Sequence, residues 1–333
     1  MSKSQRQSLI KALEEKRESK IIVYITGDRS GLETKIANDI FPMFHKHLTA
    51  IGEQERVELF IYSTGGLTNA GYGLVKLCRE FCKEFNVIIP FKAHSCATLI
   101  SLGANNIIMT KMGQLSPIDP SLEHPLGPTI TIPGQPPRIM QINVEDVNAF
   151  FTLAKNSELK SEESMKQVFQ ILASNVNPLA LGAVQRSRDQ ISFLATELMK
   201  NHDSDKEHIN KVVEILTKGR FSHDYIIGPT EALLDLNLKI RYPDIDTNKI
   251  IIDLFDTYNK MLLMDTPYNL EAVLAGKDKV DIHLDRAVIE STNFTHIFRT
   301  SRVVNRVQTT QLGIPVPMIG YQERLLLESW IEE

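Results

Sequence analysis

The sequence predicts an α/β protein built on a largely parallel sheet. Short apolar runs rich in β-branched and aromatic residues, Lys20–Gly27 and Val57–Ser63, stop sharply at glycine. Stretches with apolar residues at helical spacing stand between such runs. The strand, glycine turn, helix, strand rhythm then repeats as far as Thr110, the pattern a parallel α/β sheet imposes on sequence.

The elements follow in order. Residues 4–19 read as a helix with Leu9, Ile10 and Leu13 on a narrow apolar face. Lys20–Gly27 is the first strand. Ile36, Ile40, Phe41, Phe44 and Leu48 give Leu32–Ile51 helical spacing. Val57–Ser63 is the second strand, closed by Thr64-Gly65-Gly66, and Asn69–Phe85 the next helix. A strand at Asn86–Pro90, a helix from Ser95 to Ala104 and a strand at Asn106–Thr110 complete the rhythm. A loop rich in Pro and Gly spans 117–137, with a short β segment at Thr129–Ile132. Residues 144–218 are helical and polar on one face, with Asn201–Glu207 as a turn. Thr230–Leu236 reads as a short helix, Leu238–Arg241 as a strand and 248–264 as an amphipathic helix. The remainder reads as short strands and turns. The pattern changes near 243–247. No internal repeat or low-complexity segment is evident.

Composition narrows the function. The 333 residues carry a net charge of −4 and no basic block, which disfavours non-specific nucleic-acid binding. Three cysteines make no disulfide framework and point to a reducing compartment. The first twenty residues are polar, without the apolar core of a secretory signal. Lys92 and His94 interrupt the most apolar stretch, Val87–Met109, so it does not read as a membrane span. The expectation is a cytoplasmic protein with no membrane span.

Two segments carry chemistry. The first is Phe60-Ile-Tyr-Ser-Thr-Gly-Gly66, with Ala70-Gly71 behind it; the second is Ala93-His-Ser-Cys-Ala-Thr-Leu-Ile100. A strand ending at two glycines lets backbone amides turn outward, able to bind a developing oxyanion. A serine at a helix start presents its hydroxyl beside more amide donors. Together they offer a nucleophile and an oxyanion hole, the needs of acyl transfer. A βα turn and a helix N-cap are the purely structural alternatives.

STGGLTNAG, then AHSCATLISLGANNIIM, then LSPIDPS, resembles the Clp protease/crotonase superfamily and, within it, the serine dehydrogenase proteinase (SDH) family of Clp-fold serine proteases. The likeness runs from about Ser19 to Arg241. It implies a ClpP/crotonase-like spiral of ββα units with a helical central insertion and a C-terminal extension. The corresponding division is an N-terminal helix at 1–19, a catalytic domain at 20–245 and an extension at 246–333. Ser95 matches the nucleophile, and Gly65, Gly66 and the Cys96 amide match the oxyanion region. Clp proteases place histidine after the serine helix and aspartate later. In this chain the first position, in LSPIDPS, holds Asp119, and the later one, in GRFSHDYIIGPTEALLDLNL, holds His223. The order Ser95, Asp119, His223 fits the SDH family, and a triad is recognised by roles rather than chain order. The resemblance also implies a peptide or protein substrate, a homo-oligomer and no metal or organic cofactor. It leaves open an unknown partner for the C-terminal segment.

Other readings stand beside this one. His94 and His124 are rival bases, and Asp224 is a rival orienter. Asp119-Pro120 also suits a plain turn. A serine–lysine dyad like that of signal peptide peptidase A would draw on Lys155, Lys160 or Lys166, all in polar helical sequence, whereas such a lysine needs burial. A crotonase-like acyl-CoA enzyme would use the oxyanion hole alone, and a scaffold would use neither. Cys78 and Cys82, at i and i+4 of the expected helix, lack a second pair at zinc spacing. His45 and His47 point to different helix faces. Arg186 lies in a segment also similar to the SDH family, and its residues assign it no role.

Overall fold

The computed structural model describes residues 2–118, 121–122, 124–132, 137–140, 142–218, 222, 224–309 and 318–333. The chain forms two compact units, one of residues 1–115 with 228–333 and one of residues 116–227.

The first unit opens with helix α1 (Lys3–Arg17), started by a capping box between Ser2 and Gln5. It continues through β1 (Lys20–Thr26), α2 (Phe41–Ile51), β2 (Gln54–Tyr62), α3 (Thr68–Arg79), β3 (Cys82–Ile89), β4 (Lys92–Ala93), α4 (Cys96–Leu102), β5 (Asn106–Met109) and β6 (Gln114–Leu115). In the second unit, β7 (Ser121–Leu122), β8 (Thr129–Ile130), β9 (Arg138–Ile139) and β10 (Ile142–Asn143) precede four helices. These are α5 (Val144–Asn156), α6 (Glu162–Asn175), α7 (Pro178–Met199) and α8 (Lys206–Lys218). The first unit resumes with α9 (Pro229–Leu234), β11 (Ile240–Arg241), α10 (Ile245–Met261), α11 (Leu270–Leu274), β12 (Lys279–Glu290), β13 (Thr295–Thr309) and β14 (Met318–Glu332).

The main sheet runs β11-β5-β3-β2-β1-β12-β13-β14. It is parallel from β11 to β1 and antiparallel beyond. The parallel strands β1, β2, β3 and β5 are each followed by a short second strand or bridge. Ile36 bridges Gly66, Ser63 bridges Ala93, and β4 pairs with β6. The expected spiral of ββα units is thus written in the hydrogen bonding of residues 20–115.

The strands β1, β2, β3 and β5 are buried on both faces over most of their length, which explains their near-continuous apolar sequence. Ile21, Val23 and Ile25 of β1 join Ile10 and Leu13 of α1 and Ile251, Leu254 and Tyr258 of α10 in one core. Alternate residues point the other way, and Tyr24 meets Phe44 of α2 edge-on at 5.4 Å. A buried polar cluster ties the termini of the unit together. Glu290, fully buried on β12, accepts from Arg6 at 2.7 Å, Tyr258 at 2.6 Å and Thr295 at 2.8 Å. These partners satisfy a carboxylate that burial would otherwise penalise.

Three expectations need correction. Residues 32–37 are not helical: Thr34 N–H bonds Gly27 O, Ile36 bridges Gly66, and α2 begins only at Phe41-Pro42. Proline at a first-turn position is the sequence mark of that start. Helix α3 ends at Arg79, because Cys82–Ile89 is claimed by pairing with β2, with Gln54 opposite Cys82. Cys78 and Cys82 therefore do not share a helix; the Cys82 thiol donates to Cys78 O at 3.3 Å. The C-terminal region forms three long strands rather than short ones. Register shifts at Asp285/Ala287 and at Ser301/Arg302 break their alternation into what reads as pieces.

His47, on α2, is fully buried, whereas His45 is exposed. His47 Nδ1 meets Ser291 Oγ at 2.7 Å, and Nε2 meets His296 Nδ1 of β13 at 3.0 Å. The other His296 nitrogen lies 3.5 Å from Glu332 of β14, which also pairs with Lys46. Burial first, then the neighbouring His296, pushes His47 down to about 3, against the partial offset of Glu332. A histidine depressed in the folded state binds fewer protons than in the unfolded chain, so stability falls as pH drops below about 6.5. Between about pH 7.5 and about pH 5 the expected loss from His47 is about 2 kcal/mol. Urea melts across this range should show it, and His47→Gln should flatten the slope. An equal slope in the variant would contradict the assignment.

The second unit is helical, with α7 packed on α8 and a small core of Ile142, Ala180 and Val184. Asn177 caps α7 by accepting from Leu179 N–H, with Pro178 in its first turn. Among the described residues, no helix of either unit is long and apolar enough to cross a membrane.

Candidate active site

The site forms where β2 and β3 leave the main sheet. Ser63, fully buried after β2, exchanges backbone bonds with the second segment. Its N–H donates to Lys92 O at 2.9 Å, and its carbonyl accepts from His94 N–H at 2.9 Å. Its hydroxyl accepts from Thr26 Oγ1 at 2.7 Å and from Gly65 N–H at 3.0 Å. These bonds hold the diglycine turn beside the serine turn.

Ile36 clamps the diglycine turn from the other side. It donates to Gly65 O at 2.9 Å and accepts from Leu67 N–H at 2.8 Å. The approach is so close that a β-carbon on Gly66, at φ +153°, would lie 2.2 Å from Ile36 O. Gly65, at φ +115°, lies against the serine: its β-carbon would come within 2.8 Å of Ser95 Cβ and 3.2 Å of Ser95 Oγ. Only glycine serves at both positions.

Ser95 precedes α4 with φ +51° and ψ −114°, a conformation rarely held by a residue bearing a β-carbon. Such strain costs on the order of 1–3 kcal/mol and persists where the surroundings over-determine it. Ala97 N–H to His94 O at 2.9 Å, Leu99 N–H to Ser95 O at 3.0 Å and Thr98 Oγ1 to Ala93 O at 2.7 Å provide that restraint. The Ser95 side chain makes no cap bond to its own helix. The plain N-cap reading of this serine therefore fails.

Of the three expected oxyanion amides, Gly65 N–H is taken by Ser63. Among the described residues no acceptor takes the N–H of Gly66 or of Cys96. The Gly65 N–H is thus bound within the turn itself. Ser63, Thr26 and Ile36 were not visible as site residues in the sequence. A buried hydroxyl at the end of an apolar strand has no signature of its own there.

Asp119 and His223 lie outside the described residues. Among the rivals, His124 Nδ1 accepts Leu126 N–H at 3.2 Å, closing a local turn. Asp224 is exposed, its N–H bonded to Ser222 Oγ at 3.2 Å. Lys155, Lys160, Lys166 and Arg186 are all exposed. Among the described residues, no three His, Cys, Asp or Glu side chains gather as for a metal ion.

Two uncharacterized proteins of Methanocaldococcus jannaschii are similar to this chain. One is 28% identical over 201 residues, covering 60% of this chain and 57% of that protein. The other is 25% identical over 173 residues, covering 52% and 48%. The chain spans about half the length of the curated relatives it matches. Solved structures with some likeness include a 1510-N membrane-bound stomatin-specific protease in complex with a substrate peptide. It is 17% identical, covers 68% of this chain and 78% of that one, and has a TM-score of 0.38. ClpP1 from Listeria monocytogenes is 16% identical, covers 73% and 99%, and also has a TM-score of 0.38. Residues 1–135 match the ClpP-like SDH-type serine proteinase family, and this stretch holds the diglycine turn, Ser95 and the ββα spiral that brings them together.

Proposed function

We propose that the chain is a serine peptidase in which Ser95 attacks a peptide carbonyl and the Gly66 and Cys96 amides hold the resulting oxyanion. The observation that carries this reading is the strained backbone of Ser95, set against a glycine turn whose Gly66 amide has no acceptor among the described residues. The family match over residues 1–135 supports peptidase chemistry.

In this reading His223 takes the Ser95 proton and returns it to the leaving amine, while Asp119 fixes the histidine tautomer and stabilises the imidazolium. Both assignments rest on the motif resemblance. The reaction needs no metal or organic cofactor. We place the enzyme in the cytoplasm as a homo-oligomer, in keeping with its free thiols at Cys78, Cys82 and Cys96 and with its family.

Hydrolysis of a mixed peptide library, followed by mass spectrometry, tests the proposal. Wild type is expected to cleave, and Asp119→Asn to fall by about 10⁴-fold in kcat. His223→Ala should fall at least as far. Activity that survives both changes but is lost on Lys155→Ala, Lys160→Ala or Lys166→Ala would replace the triad with a serine–lysine dyad. Acyl-CoA turnover that persists in Ser95→Ala would replace the peptidase with a crotonase-like enzyme.

A further inference from the structure

We infer that the Cys96 thiol is a positioning group that sets the spacing of the Gly66 and Cys96 amides; its catalytic consequence rests on the peptidase reading above. Cys96 acts in two directions. Its backbone N–H is one of the two without an acceptor among the described residues. Its side chain turns inward, is fully buried, and donates from Sγ to Leu67 O at 3.2 Å. Leu67 directly follows Gly66, the residue that carries the other donor. One side chain therefore ties the residue bearing the second donor to the neighbour of the first.

The surroundings are fitted to that bond. Leu67 O also accepts Gly71 N–H at 3.1 Å, in the first turn of α3. A β-carbon at residue 71 would lie 2.5 Å from Cys96 Sγ, so Gly71 leaves the space the thiol fills. This accounts for the Ala70-Gly71 pair behind the diglycine turn. Leu67 N–H is held at the same time by Ile36 O. Leu67, the residue after Gly66, is thus held at its N–H by Ile36 and at its carbonyl by Cys96. Burial pushes the thiol up to about 12, so it stays a neutral donor.

The test uses the full chain with Cys96→Ala, Cys96→Val and Cys96→Ser, read by hydrogen exchange of the segment 64–68 and by peptide hydrolysis. Valine keeps most of the volume without the donor, and serine restores a donor. Exchange in 64–68 is expected to rise about tenfold or more in the alanine and valine variants and to return towards wild type in the serine variant. The kcat should fall about tenfold or more with KM unchanged, and serine should recover most of it. Exchange unchanged in Cys96→Ala, or Cys96→Val indistinguishable from wild type, would overturn the inference. A rise in exchange in a protein whose wild type cleaves nothing would uphold the positioning role and reject the peptidase reading.

Discussion

Gly66→Ala is expected to lose at least about 10²-fold of the reaction rate and about 3 kcal/mol of stability. The added carbon would sit 2.2 Å from Ile36 O and 2.4 Å from Ile36 N, both backbone atoms that a rotamer change does not move. The bridge between Ile36 and Gly66 would have to open, and with it the bonds to Gly65 O and Leu67 N–H. The φ of +153° adds strain that any β-carbon meets. Gly52 provides the control. At φ +74° with nothing within 4 Å of its virtual β-carbon, alanine there meets strain alone, about 1 kcal/mol, and leaves catalysis in place. Urea melts and hydrolysis rates of the two variants side by side check the contrast. Equal behaviour at both positions would mean that the Ile36 clamp does not govern the site.

Ser95 is expected to separate activity from stability. Ser95→Gly should remove about 10⁶-fold of kcat, the scale on which a triad nucleophile matters. The same change should stabilise the fold by about 1 kcal/mol relative to Ser95→Ala, because glycine adopts φ +51° and ψ −114° without a β-carbon to strain. Alanine removes the hydroxyl and keeps the strain, so the difference between the two variants isolates the backbone. In the proposed mechanism this strain is the stability–activity trade made at the nucleophile. Denaturant midpoints of both variants, with the slope held constant, measure it. Ser95→Gly melting at or below Ser95→Ala would show that the conformation is not strained.

The strands and turns that build the site were legible because their marks are local. The apolar runs at Lys20–Gly27 and Val57–Ser63 and the glycines at 65 and 66 fix both their positions and their ends. Ser95 stood out by residue type and motif order, although its positive φ did not. Tertiary pairing was not legible. Helical spacing from Leu74 to Phe85 continues past the end of α3, and only the partnership with β2 makes Cys82–Ile89 a strand. The same holds at Ile36, whose apolar side chain suits a helix while its backbone is spent on Gly65 and Leu67. In β12, β13 and β14, register shifts hid length, because an inserted residue inverts the alternation on which strand reading depends. The engagement of the Gly65 N–H was hidden for a similar reason. The bond from Gly65 N–H to a buried serine hydroxyl lies in three dimensions and leaves no pattern along the chain. Asp119 and His223 rest on motif order.

Whether Ser95 is the nucleophile is tested by labelling with a fluorophosphonate probe, followed by mass spectrometry of the digested protein. One adduct is predicted, on the peptide carrying Ser95, absent in Ser95→Ala and sharply slowed in His223→Ala and Asp119→Asn. An adduct on another residue, or a folded wild type that takes up no probe, would contradict it.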